Sequence, residues 1–214
     1  GIALALTLVA AGSGCSSKDT SDVEEMDPDA TNNRSVVVAL GDSITAGYGL
    51  TPEEAWPARL AEKTGWKIVN GGVSGDKTGD ALARLPALLD EHAPKLVLVT
   101  LGGNDMLRRL PEEQTRSNLA RILELVRSRD ARPVLLATPR PSVAGALFQN
   151  LSAPPFYAEI AKERKVPLID AAGPEVRSDP ELKLDQLHPN VEGHRALAAK
   201  AFDALRKLGY VRPN

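Results

Sequence analysis

The sequence holds a single cysteine, Cys15, in 214 residues. No intramolecular disulfide is possible, and an oxidising compartment is neither required nor excluded. There is no block of lysine or arginine, and the net charge is -2. Nucleic acid as a partner is excluded on that ground, because it calls for a basic face. Only three histidines occur, with no His-x-x-x-His pair. Together with the absence of paired cysteines, this leaves no basis for a metal site. No Gly-Lys-Ser/Thr phosphate loop appears, and no Gly-x-Gly-x-x-Gly follows a strand, so no cofactor is expected. No internal repeat is visible.

Long apolar runs are also missing. The one at the start, "GIALALTLVAAGSGC", falls short of the ~20 residues that span a bilayer. It reads as the hydrophobic core and cleavage region of a secretory signal, beginning inside that signal because no initiator Met or basic flank precedes it. Its small residues before Cys15 resemble a bacterial lipoprotein signal, whose cysteine is lipidated, although Gly12 stands where Leu is usual. The expectation is an exported protein, periplasmic or anchored to a membrane through Cys15. Residues 16–34 are polar and acidic and read as a disordered linker. Residues 1–34 hold six acids and two bases, so the remaining body carries 24 bases and 22 acids and is nearly neutral. Such a body does not demand a charged substrate.

What is present suits one domain over residues 35–214. Of all residues, 43% are apolar and 25% charged, which is ordinary for a globular protein with a substantial core. Apolar runs alternate with amphipathic stretches. Strands are expected at 35–40, 67–70, 96–101, 134–138 and 166–170, and helices at 53–64, 78–91, 111–129, 155–164 and 190–208. "LVLVTL" and "PVLLAT" are apolar throughout, as strands buried on both faces of a parallel sheet are. In the third helix Leu119, Ile122, Leu123, Leu125 and Val126 form one face, and Pro111 suits its first turn. Pro86 should kink or break the second. The pattern predicts an α/β fold: a three-layer, doubly wound, five-stranded parallel sheet in the flavodoxin-like order 2-1-3-4-5. Ligands of such sheets bind beyond the carboxyl ends of the strands.

Several small polar turns stand at those ends. "VVVALGDSITAGYGL" ends a strand in Gly-Asp-Ser and presents the Ser43 hydroxyl. A serine becomes a nucleophile only when an oriented base takes its proton. His92 ends a helical pattern beside Pro94, and His194 lies within the last helix. His188 in "LDQLHPN" has Asp185 three residues upstream, so a turn can fold the carboxylate back on Nδ1 and leave Nε2 free. The same residues also read as a plain loop closing on an Asn cap. "GGVSGD" offers the Gly75 N–H and "LGGND" the Asn104 amide as donors for a developing oxyanion, with Gly102 and Gly103 permitting a close backbone approach. Each is equally an ordinary turn taken alone.

"GDSITAGYGL", "GVSGD", "LGGND" and "DQLHPN" resemble, in order and spacing, the four sequence blocks of the GDSL, or SGNH, hydrolases. The likeness runs over about residues 36–208 and is similar to the bacterial arylesterase and thioesterase I/lysophospholipase L1 branch. It implies Ser43 as nucleophile, His188 as base and then acid, and Asp185 as its orienting carboxylate. It implies the Ser43 and Gly75 N–H groups and the Asn104 amide as an oxyanion hole, with Asp42 structural. The implied activity is hydrolysis of a small-molecule ester or lipid (aryl, short- to medium-chain acyl, thioester or lysophospholipid) through an acyl-enzyme. An O-acetylesterase of cell-envelope carbohydrate uses the same blocks, and a catalytically idle binding module would keep the same fold. Lys77 stands where the family often has Thr, which leaves Gly75 in place but alters the lip of the site. The 140–154 connection is long for this fold; its Leu147 and Phe148 are expected to line an acyl chain, or else to form a small satellite core.

Overall fold

The computed structural model describes Gly1 and residues 35–140, 151–170 and 172–211. Cys15, the apolar run around it and the acidic stretch at 16–34 lie outside the described residues. Five strands form one sheet: β1 Val36–Gly41, β2 Lys67–Gly72, β3 Leu96–Thr100, β4 Arg132–Leu136 and β5 Leu168–Ile169. Every pairing is parallel, and the order is β2-β1-β3-β4-β5.

The helices are α1 Ser43–Ala46, α2 Trp56–Thr64, α3 Thr78–His92, α4 Gly103–Leu107, α5 Glu112–Arg127, α6 Phe156–Glu163, α7 Ala172–Ser178 and α8 Val191–Lys207. A 3₁₀ turn spans Pro180–Leu182. Alternate residues of the central strands feed two cores, as the period-2 geometry of a strand requires. Val38, Leu40, Val97 and Val99 pack with Leu85 of α3, Leu123 of α5 and Phe156 of α6. Val37, Ala39, Leu96 and Leu98 pack with Leu60 of α2, Val176 of α7 and Ala201 of α8. Both faces are therefore covered, which is why these strands are apolar throughout.

Several boundaries depart from expectation for local reasons. α2 starts at Trp56, because Thr51 and Glu54 close a separate turn: Thr51 N–H donates to Glu54 Oε2 at 3.0 Å. Pro111 is the N-cap of α5 and not part of its first turn; its ψ of 129° is extended. β5 is only two residues long. Pro167 has no N–H to pair, and the Val166 N–H closes the end of α6 on the Ala161 carbonyl at 2.9 Å. The expected break at Pro86 does not occur, and α3 runs through it. One helical hydrogen bond is forfeited there, but Leu85 and Leu89 on either side are buried and hold both halves to the core.

Register decides where the site forms. Gly41 of β1 lies level with Gly72 of β2 and Thr100 of β3. The three segments that follow, each rich in small polar residues, therefore leave the sheet side by side at its carboxyl edge.

Candidate active site

Ser43 is the first residue of α1, separated from β1 only by Asp42. Asp42 caps this single turn: the Ile44 N–H donates to its Oδ1 at 3.0 Å. Asp42 is itself buried, and burial pushes its carboxyl above the usual range, against the Ile44 N–H and the charges of Arg177 and His188. α1 lies directly on the end of β2. A Cβ on Gly72 would come within 2.2 Å of Ala46 N, so that position has room only for glycine.

The Asp185–His188 turn closes as the spacing suggests. The N–H groups of Leu187 and His188 both donate to Asp185 Oδ1 at 2.7 Å. The imidazole Nδ1 lies 2.8 Å from Oδ2 and 3.0 Å from Oδ1. Burial works against the Asp185 charge, but these hydrogen bonds outweigh it and hold the carboxyl below its ordinary value. Nε2 of His188 is then 3.0 Å from Ser43 Oγ, across 145 residues of chain. The Tyr48 ring lies over the imidazole, centroids 4.5 Å apart.

The loop is fastened at its far end by Asn190. Its Oδ1 accepts from Gly193 N–H and caps α8, while its Nδ2 donates to the carbonyls of Glu181 at 2.8 Å and Lys183 at 3.3 Å. The bland reading of an Asn cap and the catalytic reading of "DQLHPN" thus describe the same turn.

Across the cleft, Asn104 stands in the first turn of α4. Its Nδ2 donates to the Asp76 carbonyl at 3.0 Å and lies 3.5 Å from Asp42 Oδ2. Gly75 lines the same cleft with φ +86°, a conformation that favours glycine. Two residues that the sequence reading did not single out tie these loops together. Arg84 of α3 donates to Asp76 Oδ2 at 2.7 Å and to the carbonyls of Gly71 and Gly41. Asp105, fully buried, accepts from Thr78 N–H at 2.9 Å and Thr78 Oγ1 at 2.6 Å. Nothing in an amphipathic helix pattern marks Arg84 as such a clamp. Asp105 could have been suspected from its place beside Asn104. Lys77 turns away to pair with Asp80 at the surface.

The cleft has a volume of about 300 Å³ and is lined by Ser43, Tyr48, Gly75, Asn104 and His188 among others. Leu107 and Leu187 add apolar surface to it. Leu147 and Phe148, expected on its acyl side, lie outside the described residues.

His194 is a structural histidine, as its place in the last helix suggests. It is 1% exposed, and its Nδ1 accepts the Trp56 N–H at 3.0 Å. Burial, with a smaller contribution from the His188 charge, pushes its pKa down to about 4. The folded protein therefore binds fewer protons than the unfolded chain between about pH 4 and 6.5, and stability falls as pH drops through that window. The expected loss is about 3 kcal/mol. His194→Asn keeps an acceptor for Trp56 and removes the titration. Urea denaturation at pH 7 and 4.5 should show a flatter pH slope in the variant; identical slopes would refute the assignment.

The family model described as "GDSL-like Lipase/Acylhydrolase family" matches residues 39–196. Thioesterase 1/protease 1/lysophospholipase L1 of Escherichia coli K12 is 40% identical over 165 residues, 76% of this chain and 79% of its own. An arylesterase of Vibrio mimicus is 35% identical over 168 residues, 76% of this chain and 84% of its own. The solved structure of the psychrotrophic esterase EstA from Pseudoalteromonas sp., inhibited by monoethylphosphonate, is similar with a TM-score of 0.70 and 27% identity. It covers 81% of this chain and 98% of the esterase.

Proposed function

The chain belongs to the GDSL-like lipase/acylhydrolase family and is a carboxylic ester hydrolase, and from that premise we propose that it works through an acyl-enzyme on Ser43. The observation that carries the reading is the 3.0 Å contact between Ser43 Oγ and His188 Nε2, with Nδ1 held by Asp185. His188 takes the hydroxyl proton as Ser43 attacks the carbonyl, and Asp185 stabilises the imidazolium. The N–H groups of Ser43 and Gly75 and the amide of Asn104 hold the oxyanion. Asn104 is aimed by its bond to the Asp76 carbonyl. His188 then protonates the leaving group, and water repeats the sequence on the acyl-enzyme.

Tyr48, Leu107 and Leu187 give the cleft an apolar rim, which suits aryl or short- to medium-chain acyl esters. The names of the relatives, arylesterase and thioesterase/lysophospholipase, support the same range. An alkyl fluorophosphonate tests the mechanism, since it reacts with an activated serine and mimics the tetrahedral intermediate. Peptide mapping should find the adduct on Ser43; a protein that hydrolyses esters yet stays unlabelled, or carries the label elsewhere, rules the acyl-enzyme out. Export and attachment through Cys15 belong to the same proposal, on the strength of the apolar run before it. Intact mass of protein isolated from membranes reads whether Cys15 is the lipidated N-terminus.

A further inference from the structure

Arg177 is the second-to-last residue of α7. It is 8% exposed, yet it lines the cleft beside Asp42, Ser43 and His188. It also borders a small apolar cavity lined by Ile44, Leu136 and Leu197. Its guanidinium presents five N–H donors in a plane. Among the described residues it makes no hydrogen bond and no ion pair; Asp42, Tyr157 and Asp185 act on it only through space. The carboxylates nearby are already engaged, and the buried Thr138 Oγ1, which lines both cavities, accepts nothing from it among the described residues. Asp42 Oδ1 accepts from the Ile44 N–H, Asp42 Oδ2 faces the Asn104 amide, and the Asp185 carboxylate holds His188.

A guanidinium stays charged at any working pH, and burying it without partners is costly. Surface arginines of this protein do not share the problem: Arg116, Arg129, Arg164 and Arg195 each pair with a carboxylate. Among the described residues, Arg177 therefore has unspent donors in the wall of the cleft that also contains Ser43. A carboxylate or phosphate matches its planar fork, with two parallel N–H···O bonds.

We propose that Arg177 is an anion subsite, which takes a carboxylate or phosphate carried by the ester a few atoms from the scissile carbonyl. The proposal rests on Ser43 as the reacting group and adds the substrate class: small anionic esters. Both groups line a cleft of about 300 Å³, so the anion and the carbonyl must belong to one compact molecule.

The test compares matched pairs of esters. Mono-p-nitrophenyl glutarate against p-nitrophenyl valerate probes a carboxylate on the acyl side. A short-chain lysophosphatidic acid, 1-butyryl-glycerol 3-phosphate, against monobutyrin probes a phosphate on the alcohol side. For at least one pair, Arg177→Met should lower the anionic-to-neutral ratio of kcat/KM roughly 10- to 100-fold. The loss should appear in KM, and Arg177→Lys should restore part of it. Ratios unchanged by the substitution in both pairs overturn the subsite, including the case where both members fall together. If Arg177→Met does not fold, inhibition of the wild type decides. Glutarate or inorganic phosphate should compete with p-nitrophenyl valerate where glutaramide does not; no competition by either anion refutes the proposal. A wild type that turns over neutral esters through Ser43 but shows no anionic preference sinks this subsite alone. Absence of Ser43 labelling and turnover sinks the acyl-enzyme reading instead.

Discussion

Ser43→Ala is expected to cut turnover of p-nitrophenyl esters roughly 10⁴- to 10⁶-fold while leaving the fold intact, the range seen when a triad nucleophile is removed. Among the described residues the side chain has one hydrogen-bond contact of its own, to His188 Nε2 at 3.0 Å, so little folding energy depends on it. Alanine also suits the first position of α1, where the Asp42 cap and the Ile44 N–H are untouched. What remains is whatever binding and the oxyanion donors contribute without a nucleophile. Burst release of p-nitrophenol should vanish, and thermal unfolding should shift little. Wild-type turnover in Ser43→Ala would remove the nucleophile from the mechanism altogether.

The second large effect belongs to Asp185→Asn, expected to lower kcat roughly 10³- to 10⁴-fold. The reason is a proton on the wrong nitrogen. Oδ1 already accepts the N–H groups of Leu187 and His188, so the oxygen of an Asn must stay there. Its NH₂ then takes the place of Oδ2, 2.8 Å from His188 Nδ1, and donates to it. The neutral imidazole must carry its proton on Nε2, where it faces Ser43 as a donor and cannot accept the hydroxyl proton. Acid acts on the wild type in the same direction. Hydrogen bonds hold the Asp185 carboxyl below its ordinary range against burial, so it stays ionised down to a lower pH than a free carboxylate. Its contribution to stability is present above the ordinary carboxylate value and is lost only as pH falls through the depressed one. Single-turnover acylation separates this variant from one with damaged binding: kcat should drop with KM nearly constant. A rate within tenfold of wild type would show that His188 needs no carboxylate.

Both variants act on residues that could be named from sequence, because each block keeps its chemistry within a few neighbours. Asp185 and His188 need only a three-residue turn, and Asn190 fastens that turn two residues later. Gly75 and Asn104 stand directly after runs that were plainly strands. Arg177 lay beyond such reasoning. It sits in a short helix that the apolar spacing did not reveal, among 26 basic residues that are mostly of the ordinary surface kind. Tyr48 was visible as part of "GYGL", but not as a ring lying over the imidazole. The two-residue β5 and the unbroken α3 depended on neighbours that no local window contains.

By itself, then, the sequence determined the layers and the order of strands, since alternating apolar runs and amphipathic helices admit few other ways to cover a parallel sheet. It also determined which residue types stand at the strand ends. Tertiary structure alone decided that Gly41, Gly72 and Thr100 lie level, that the loop at 185–188 closes over Ser43, and that Arg177 lines the same space with no partner among the described residues. The physical reason is range: turns and caps are settled by contacts a few residues apart, whereas register joins segments tens of residues apart and the closure on Ser43 joins segments 145 apart.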